Sequence, residues 1–299
     1  MTTVETPVET PGTPAGGVSP RRGPQTVRLG IGQLRIDVDD PAGTWHAVEQ
    51  TAARAAAEGV ELLVLPELAA CGYVFADHAE ALARSEDLDG PTVAAYRELS
   101  RRHGLVLAAG FAERGEAGRV HNSALLVEDG ELRAVYRKAH LWDAEKLYFT
   151  PGSAPAPVVD TRVGRLGLMI CYDLEFPEFV RDVALRGAEV LLAPSNWPTE
   201  HSPGPGLVAE TIKSQANAAC NRIWMVVADR TGVERGQHWV GGSMVCDPLG
   251  AIVTEPVLGR EGWLVADLDL ARARDKTVTS RNHAFGDRRP ELYGGILSP

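Results

Sequence analysis

Apolar runs recur along the chain, alternating with segments that carry their apolar residues at helical spacing. Val27 to Gln33 (VRLGIGQ) reads as a strand. Thr44 to Gly59 places Trp45, Val48, Ala52 and Ala55 on one helical face and closes on a glycine suited to a helix C-terminus. VELLVLP (60–66) and LVLAAG (105–110) read as further buried strands. VHNSALLV and ELRAVYRK, joined by a Glu-Asp-Gly turn at residues 128–130, predict a hairpin. The second half repeats this grammar: RLGLMIC (165–171), a helix from near Pro177 to Gly187, EVLLAP (189–194), a helix over roughly 207–221, and IWMVVAD (223–229). A second hairpin is predicted from GGSMVCD through Pro248-Leu249-Gly250 to AIVTE.

Strands that are apolar almost throughout need cover on both faces, and the helices between them cover only one face each. The pattern therefore predicts an α/β chain in which two sheets pack together with helices outside, a four-layer αββα sandwich forming one domain over residues 26–270. Residues 1–25, rich in Thr, Pro, Gly and Glu and lacking apolar periodicity, are predicted to be a disordered tail. Residues 271–299, with Arg272-Ala273-Arg274 and a PELYGG stretch, read as a C-terminal arm that a partner subunit could order.

The 299 residues are 44 % apolar and 23 % charged, enough to bury a sizeable core and unlike collagen, coiled coil or a wholly disordered chain. With 30 basic against 40 acidic residues, the net charge of −10 argues against nucleic acid and anionic membrane surfaces as partners. The four cysteines form no Cys-x-x-Cys pair, so a reducing compartment is expected. No run of eighteen apolar residues and no signal-peptide pattern occurs, so no membrane span is predicted and a cytoplasmic location is expected.

Walker A, G-x-S-x-G, H-E-x-x-H and complete G-x-G-x-x-G strings are absent, and the eight scattered histidines lack metal-ligand spacing, so no metal is expected. What remains is Cys171, which closes GLMIC ahead of a polar turn and a helix opening at Pro177. There the amides of the incipient helix would stabilise a thiolate. A strand-end cysteine is more often packing than chemistry. Two other apolar strands, however, also end in a charge: Glu67 follows LVLP and Lys138 ends AVYRK. Together they would supply a proton acceptor, a fixed cation for an oxyanion, and a nucleophile.

These three segments resemble the nitrilase superfamily of carbon–nitrogen hydrolases. LVLPEL (63–68) is similar to its first-glutamate segment, YRKAHLWDAEKLYFTPG (136–152) to its lysine segment and GLMICYDLEFPEF (167–179) to its cysteine segment, in the same order over roughly residues 27–270. The resemblance implies an αββα sandwich assembled as a homodimer or higher homo-oligomer, with no cofactor. It implies Glu67 as general base, Cys171 as the nucleophile that forms a thioester, and Lys138 with the backbone N–H of Tyr172 as the oxyanion site. Glu145 matches a second family glutamate that orients the lysine or the substrate amide; the alternative is a surface helix charge.

Tyr172-Asp173 resembles the amidase branches, which implies a small primary amide as substrate. Where some branches carry an arginine for a substrate carboxylate, this chain has Glu175, within a Tyr-Asp-x-Glu-Phe string shared with stereoselective amidases. Facing the pocket, Glu175 would favour an amino-substituted carboxamide; otherwise it caps or salt-bridges the helix opening at Pro177. Asn196, Trp197 and Tyr73 are candidate pocket walls or packing residues. Asn122 reads as a structural amide serving backbone groups, and Cys71, Cys220 and Cys246 as packing. A nitrile or N-carbamoyl hydrolase with the same triad, or a silent binding module on the same fold, are the alternatives.

Overall fold

The computed structural model describes residues 26–199 and 208–297; the predicted tail 1–25 and the first residue of the helix predicted over 207–221 lie outside them. In chain order the first half holds β1 (Thr26–Gln33), α1 (Pro41–Ala57), β2 (Leu62–Val64), α2 (His78–Arg84), α3 (Pro91–His103), β3 (Val106–Arg114), β4 (Val120–Glu128), β5 (Glu131–Arg137) and α4 (Glu145–Tyr148). The second half holds β6 (Val158–Thr161), β7 (Gly164–Leu168), α5 (Pro177–Leu185), β8 (Val190–Pro194), α6 (Ala209–Asn221), β9 (Trp224–Ala228), β10 (Thr231–Glu234), β11 (Gln237–Val240) and β12 (Met244–Cys246). Then come β13 (Gly262–Asp269), α7 (Leu270–Arg274), β14 (Thr277–Thr279) and β15 (Asn282–His283).

One six-stranded sheet runs β13-β1-β2-β3-β4-β5 and one five-stranded sheet runs β12-β9-β8-β7-β6. Strand alternation builds the layers. On β2, Leu62 and Val64 point into the core shared with Leu166, Leu168 and Val226 of the second sheet, while Leu63 points the other way, against α1 and α3. Val48, Ala52 and Ala55 of α1 and Val93, Tyr96 and Leu99 of α3 cover that outer face. Val180, Val183 and Ala184 of α5 and Ala218 of α6 cover the second sheet. The result is the predicted αββα sandwich.

Local signals account for the element ends. Asp40 caps α1 by accepting from Gly43 N, and Gly59 follows the helix with φ +70°. Asp129 and Gly130, both with positive φ, make the two-residue turn of the β4–β5 hairpin. The second predicted hairpin is only partly formed: β12 meets its return segment through the isolated bridge Cys246–Ile252, with bonds from Val253 N to Val245 O, from Asp247 N to Ala251 O and from Val245 N to Thr254 Oγ1. Asp247 accepts from Leu249 N and Ala251 N, folding the chain into a side-chain-held turn instead of extending the ladder. The hairpin that does form nearby is β10–β11.

Candidate active site

Glu67 lies three residues beyond β2, with no exposed surface. The turn that presents it passes so close to β3 that a Cβ at Gly110 would sit 2.2 Å from Leu68 N and 2.7 Å from the Glu67 backbone. Lys138 directly follows β5, its N–H donating to Asn122 O and its C=O accepting from Gly152 N, both at 2.8 Å. Its ammonium donates to Glu67 Oε1 and to Glu145 Oε1, each at 2.7 Å, with all three side chains buried. The second oxygen of Glu67 has no partner, whereas its first also accepts from Asn122 Nδ2 at 2.6 Å.

Burial pushes the Glu67 carboxyl up to about 7, with Glu145 adding to the rise and Lys138 and Asn122 opposing it. Burial alone would lower the Lys138 ammonium, but Glu145 and Glu67 outweigh it and hold it raised. Glu145 is therefore no surface charge. Its Oε1 also accepts from Tyr73 O–H at 2.5 Å, and its Oε2 from Trp142 N at 3.2 Å.

Cys171 lies three residues past the end of β7, not at the strand end as the sequence suggests, and opens a 3₁₀ turn (Cys171–Glu175) with φ +46°. A left-handed φ in a side-chain-bearing residue is costly and survives only where the surroundings enforce it. Here Asp173 does so: its Oδ2 accepts from Ile170 N and Tyr136 O–H, and its Oδ1 from His140 N, with His140 Nδ1 at 2.7 Å. The thiol contacts Asn196 O at 3.8 Å. Burial, then the Glu67 charge, hold it well above the usual thiol range, with Lys138 opposing. The expectation of a thiolate stabilised by helix amides is thus corrected: at rest the sulfur keeps its proton, and a base is needed to remove it.

Cys171 forms one wall of a pocket with Tyr172, Glu175, Asn196, Trp197 and, unanticipated from sequence, Trp142, Leu174, Pro198, Glu210 and Lys213. Glu175 faces this pocket, but it is not a lone charge: it is ion-paired with Lys213 on α6, which also stands 4.0 Å from Glu210. The opening of α5 has no side-chain cap, so the predicted alternative role of Glu175 at Pro177 is replaced by this cross-link. Tyr73 contributes its hydroxyl to Glu145 instead of a pocket wall.

Two further expectations change. Asn122 serves Glu67 rather than backbone groups, because β4 turns its side chain toward the end of β2. Cys71 and Cys246 are buried, but Cys220 is exposed on α6, on the side facing away from the sheet. Sequence reasoning also missed Asp229, at the end of β9, which accepts from Trp197 N, Arg230 N and Gly242 N and so anchors the Asn196–Trp197 wall. An acidic residue closing an apolar strand (IWMVVAD) was its signal, the same one that marked Glu67. Among the described residues no group of three His, Cys, Asp or Glu is arranged to hold a metal ion, and no helix is long and apolar enough to cross a membrane.

A thiol, two carboxylates and an ammonium gathered at one end of a two-sheet sandwich define a class of hydrolase that works on carbon–nitrogen bonds other than peptide bonds. The chain belongs to the carbon–nitrogen hydrolase family, whose model matches residues 28–276, and within the nitrilase superfamily to its amidase-like branch. It is 32 % identical to a nitrilase of Pyrococcus abyssi over 89 % of this chain and 99 % of that one. It is 31 % identical to an N-carbamoylputrescine amidase of Arabidopsis thaliana, over 87 % of this chain and 92 % of that one. Among solved structures, an amidase from Nesterenkonia sp. AN1 carrying the acetamide moiety of fluoroacetamide covalently on its active-site cysteine superposes with a TM-score of 0.76. It is 30 % identical, over 93 % of this chain and 98 % of that one.

Proposed function

We propose that this enzyme hydrolyses a small primary amide to the acid and ammonia through a thioester on Cys171. The observation that carries the reading is the unpartnered Oε2 of buried Glu67, a proton acceptor whose charge acts on the Cys171 thiol. Glu67 takes the Cys171 proton as sulfur bonds to the carbonyl carbon, and the carbonyl electron pair moves to oxygen. Lys138 and the Tyr172 N–H hold that oxyanion. On collapse the carbon–nitrogen bond breaks, Glu67 returns the proton to nitrogen, and ammonia leaves. Water then gives a proton to Glu67 and its hydroxide adds to the thioester carbon. The carbon–sulfur bond breaks, sulfur regains the proton, and the acid departs. Glu145, braced by Tyr73, keeps Lys138 in place, and no metal or cofactor takes part.

For the acyl part, the pocket's charged lining favours an amino-substituted carboxamide: Glu175 and Glu210 stand against Lys213, leaving one negative charge in excess. Tyr172 and Trp197 supply the apolar walls beside it. The same triad could serve an N-carbamoyl amine, a reading favoured by the likeness to N-carbamoylputrescine amidase. By the same analogy with the nitrilase superfamily, the working form is a homodimer or higher homo-oligomer.

The test is ammonia release from neutral, acidic and amino-substituted amides, with nitriles and N-carbamoyl amines alongside. Turnover centred on amino-amides, lost in Cys171→Ala and selectively weakened in Glu175→Gln, is the expected result. Turnover centred on nitriles or carbamoyl compounds would overturn the substrate assignment, and equal losses across all amides in Glu175→Gln would remove its specificity role.

A further inference from the structure

Asn196 is 2 % exposed, and neither its side-chain oxygen nor its side-chain nitrogen has a hydrogen-bond partner. Among the described residues that line the pocket, it is the side chain whose buried polar atoms are both left unpaired. A buried carboxamide with neither group satisfied is costly and calls for an explanation. Of the charged groups lining the pocket, Glu175 pairs with Lys213, which also stands 4.0 Å from Glu210.

The carboxamide is also held in place. Ser195 N donates to Ala228 O at 2.8 Å, Trp197 N to Asp229 Oδ1 at 2.9 Å, and Trp197 O accepts from Val240 N at 2.9 Å, so the main chain is fixed on both sides of Asn196. Its own carbonyl receives the Cys171 thiol. Asn196 therefore lines the nucleophile's pocket on a fixed backbone, with Tyr172, Leu174 and Trp197 as largely apolar walls around it.

We propose that Asn196 is a second specificity-determining residue of this pocket beside Glu175, its carboxamide receiving a substituent on the substrate's acyl part that both accepts and donates a hydrogen bond: a hydroxyl, a second carboxamide or a ureido group. This rests on the amide reading above and refines it. Asp229 is the matching positioning residue, holding the wall from which Asn196 projects. A site built to hydrogen-bond a substrate group rejects an analogue of the same shape that lacks it far more strongly than an apolar pocket rejects a missing methylene.

Two pairs of near-isosteric amides test this: malonamide against isovaleramide, and lactamide against isobutyramide. The polar member of at least one pair is expected to have the higher kcat/KM by about tenfold or more, with the responding pair telling carboxamide from hydroxyl. Asn196→Leu should bring that ratio close to one, and Asn196→Ala, which adds no bulk, should do the same if the leucine disturbs folding. A ratio of one or less in the unaltered enzyme, or a preference that survives both substitutions, overturns the proposal. Calorimetric binding of the same four amides to Cys171→Ala, with and without Asn196→Leu, reads the subsite without turnover. Absence of discrimination there also overturns it, while discrimination in binding without any ammonia release would sink the hydrolytic reading and leave the subsite standing.

Discussion

At the scale of single residues, the chemistry turns on how one carboxylate is kept available at neutral pH. Glu67 must be ionised to accept the thiol proton, and burial has raised its carboxyl to about 7. The ionised fraction falls as pH drops through that value, so kcat/KM should show an acid limb with a midpoint near 7. The Asn122 Nδ2–H bond favours the charged form. Removing it in Asn122→Ala should therefore move the limb to higher pH and lower activity at pH 7, with recovery on the alkaline side. A limb that stays in place while activity falls uniformly would make Asn122 a packing residue. That role was hidden in the sequence because the partner lies fifty-five positions away. Glu67, Lys138 and Cys171 were legible for the opposite reason: each stands at or just beyond an apolar strand, where a polar side chain breaks the pattern.

Among elements, the site depends on how closely the turn after β2 approaches β3. Gly110 lies in mid-β3, and Gly110 N donates to Pro66 O at 3.1 Å, directly behind Glu67. A methyl group there would meet Leu68 N at 2.2 Å. Because the obstacle is backbone, the turn itself must move. Gly110→Ala should destabilise the fold by about 1–3 kcal/mol, the usual cost of overpacking. It should also lower kcat by more than tenfold, because Glu67 rides on the displaced segment; urea unfolding and ammonia release measure the two effects. Normal activity in the variant would show that the turn is free to shift. The strand order and the helices covering it were readable from periodicity, but this close approach was not, since LVLAAG reads equally well with alanine at that position. The same holds for the Cys171 turn. GLMIC looks like strand to its last residue, and only the Asp173 carboxylate, gathering Ile170 N, Tyr136 O–H and His140 N, bends the chain away three residues earlier. The return half of the second predicted hairpin failed to form a ladder for a related reason, with Asp247 taking backbone amides that strand pairing would otherwise use.

At the scale of the whole molecule, large apolar side chains stay exposed on the helices outside the second sheet and on the C-terminal segment. On the outer helices Leu185 and Ile212 are 40 % and 50 % exposed, and beyond β15 Leu292 and Ile296 are 66 % and 57 % exposed. Scattered apolar residues need no explanation, but these belong to segments that meet. Arg181 of α5 lies over the Phe285 ring at 5.2 Å, and Lys276 donates to the carbonyls of Asn221 and Arg222 at the end of α6. The C-terminal segment is thus tied to the two helices, and this surface has no cover among the described residues. We expect a second copy to cover it. With a net charge of −10, two copies repel at long range, so an apolar contact should tighten as salt screens that repulsion, whereas a contact built on exposed ion pairs would loosen. Sedimentation velocity at micromolar protein should therefore give a dimer or larger species whose dissociation constant falls from low to moderate ionic strength. Ile212→Asp, which places a charge on the exposed side of α6 away from the core, should shift it toward monomer without changing the unfolding midpoint of the isolated chain. A monomer under all these conditions, or association that weakens with salt, would assign the exposed apolar side chains to something other than self-assembly.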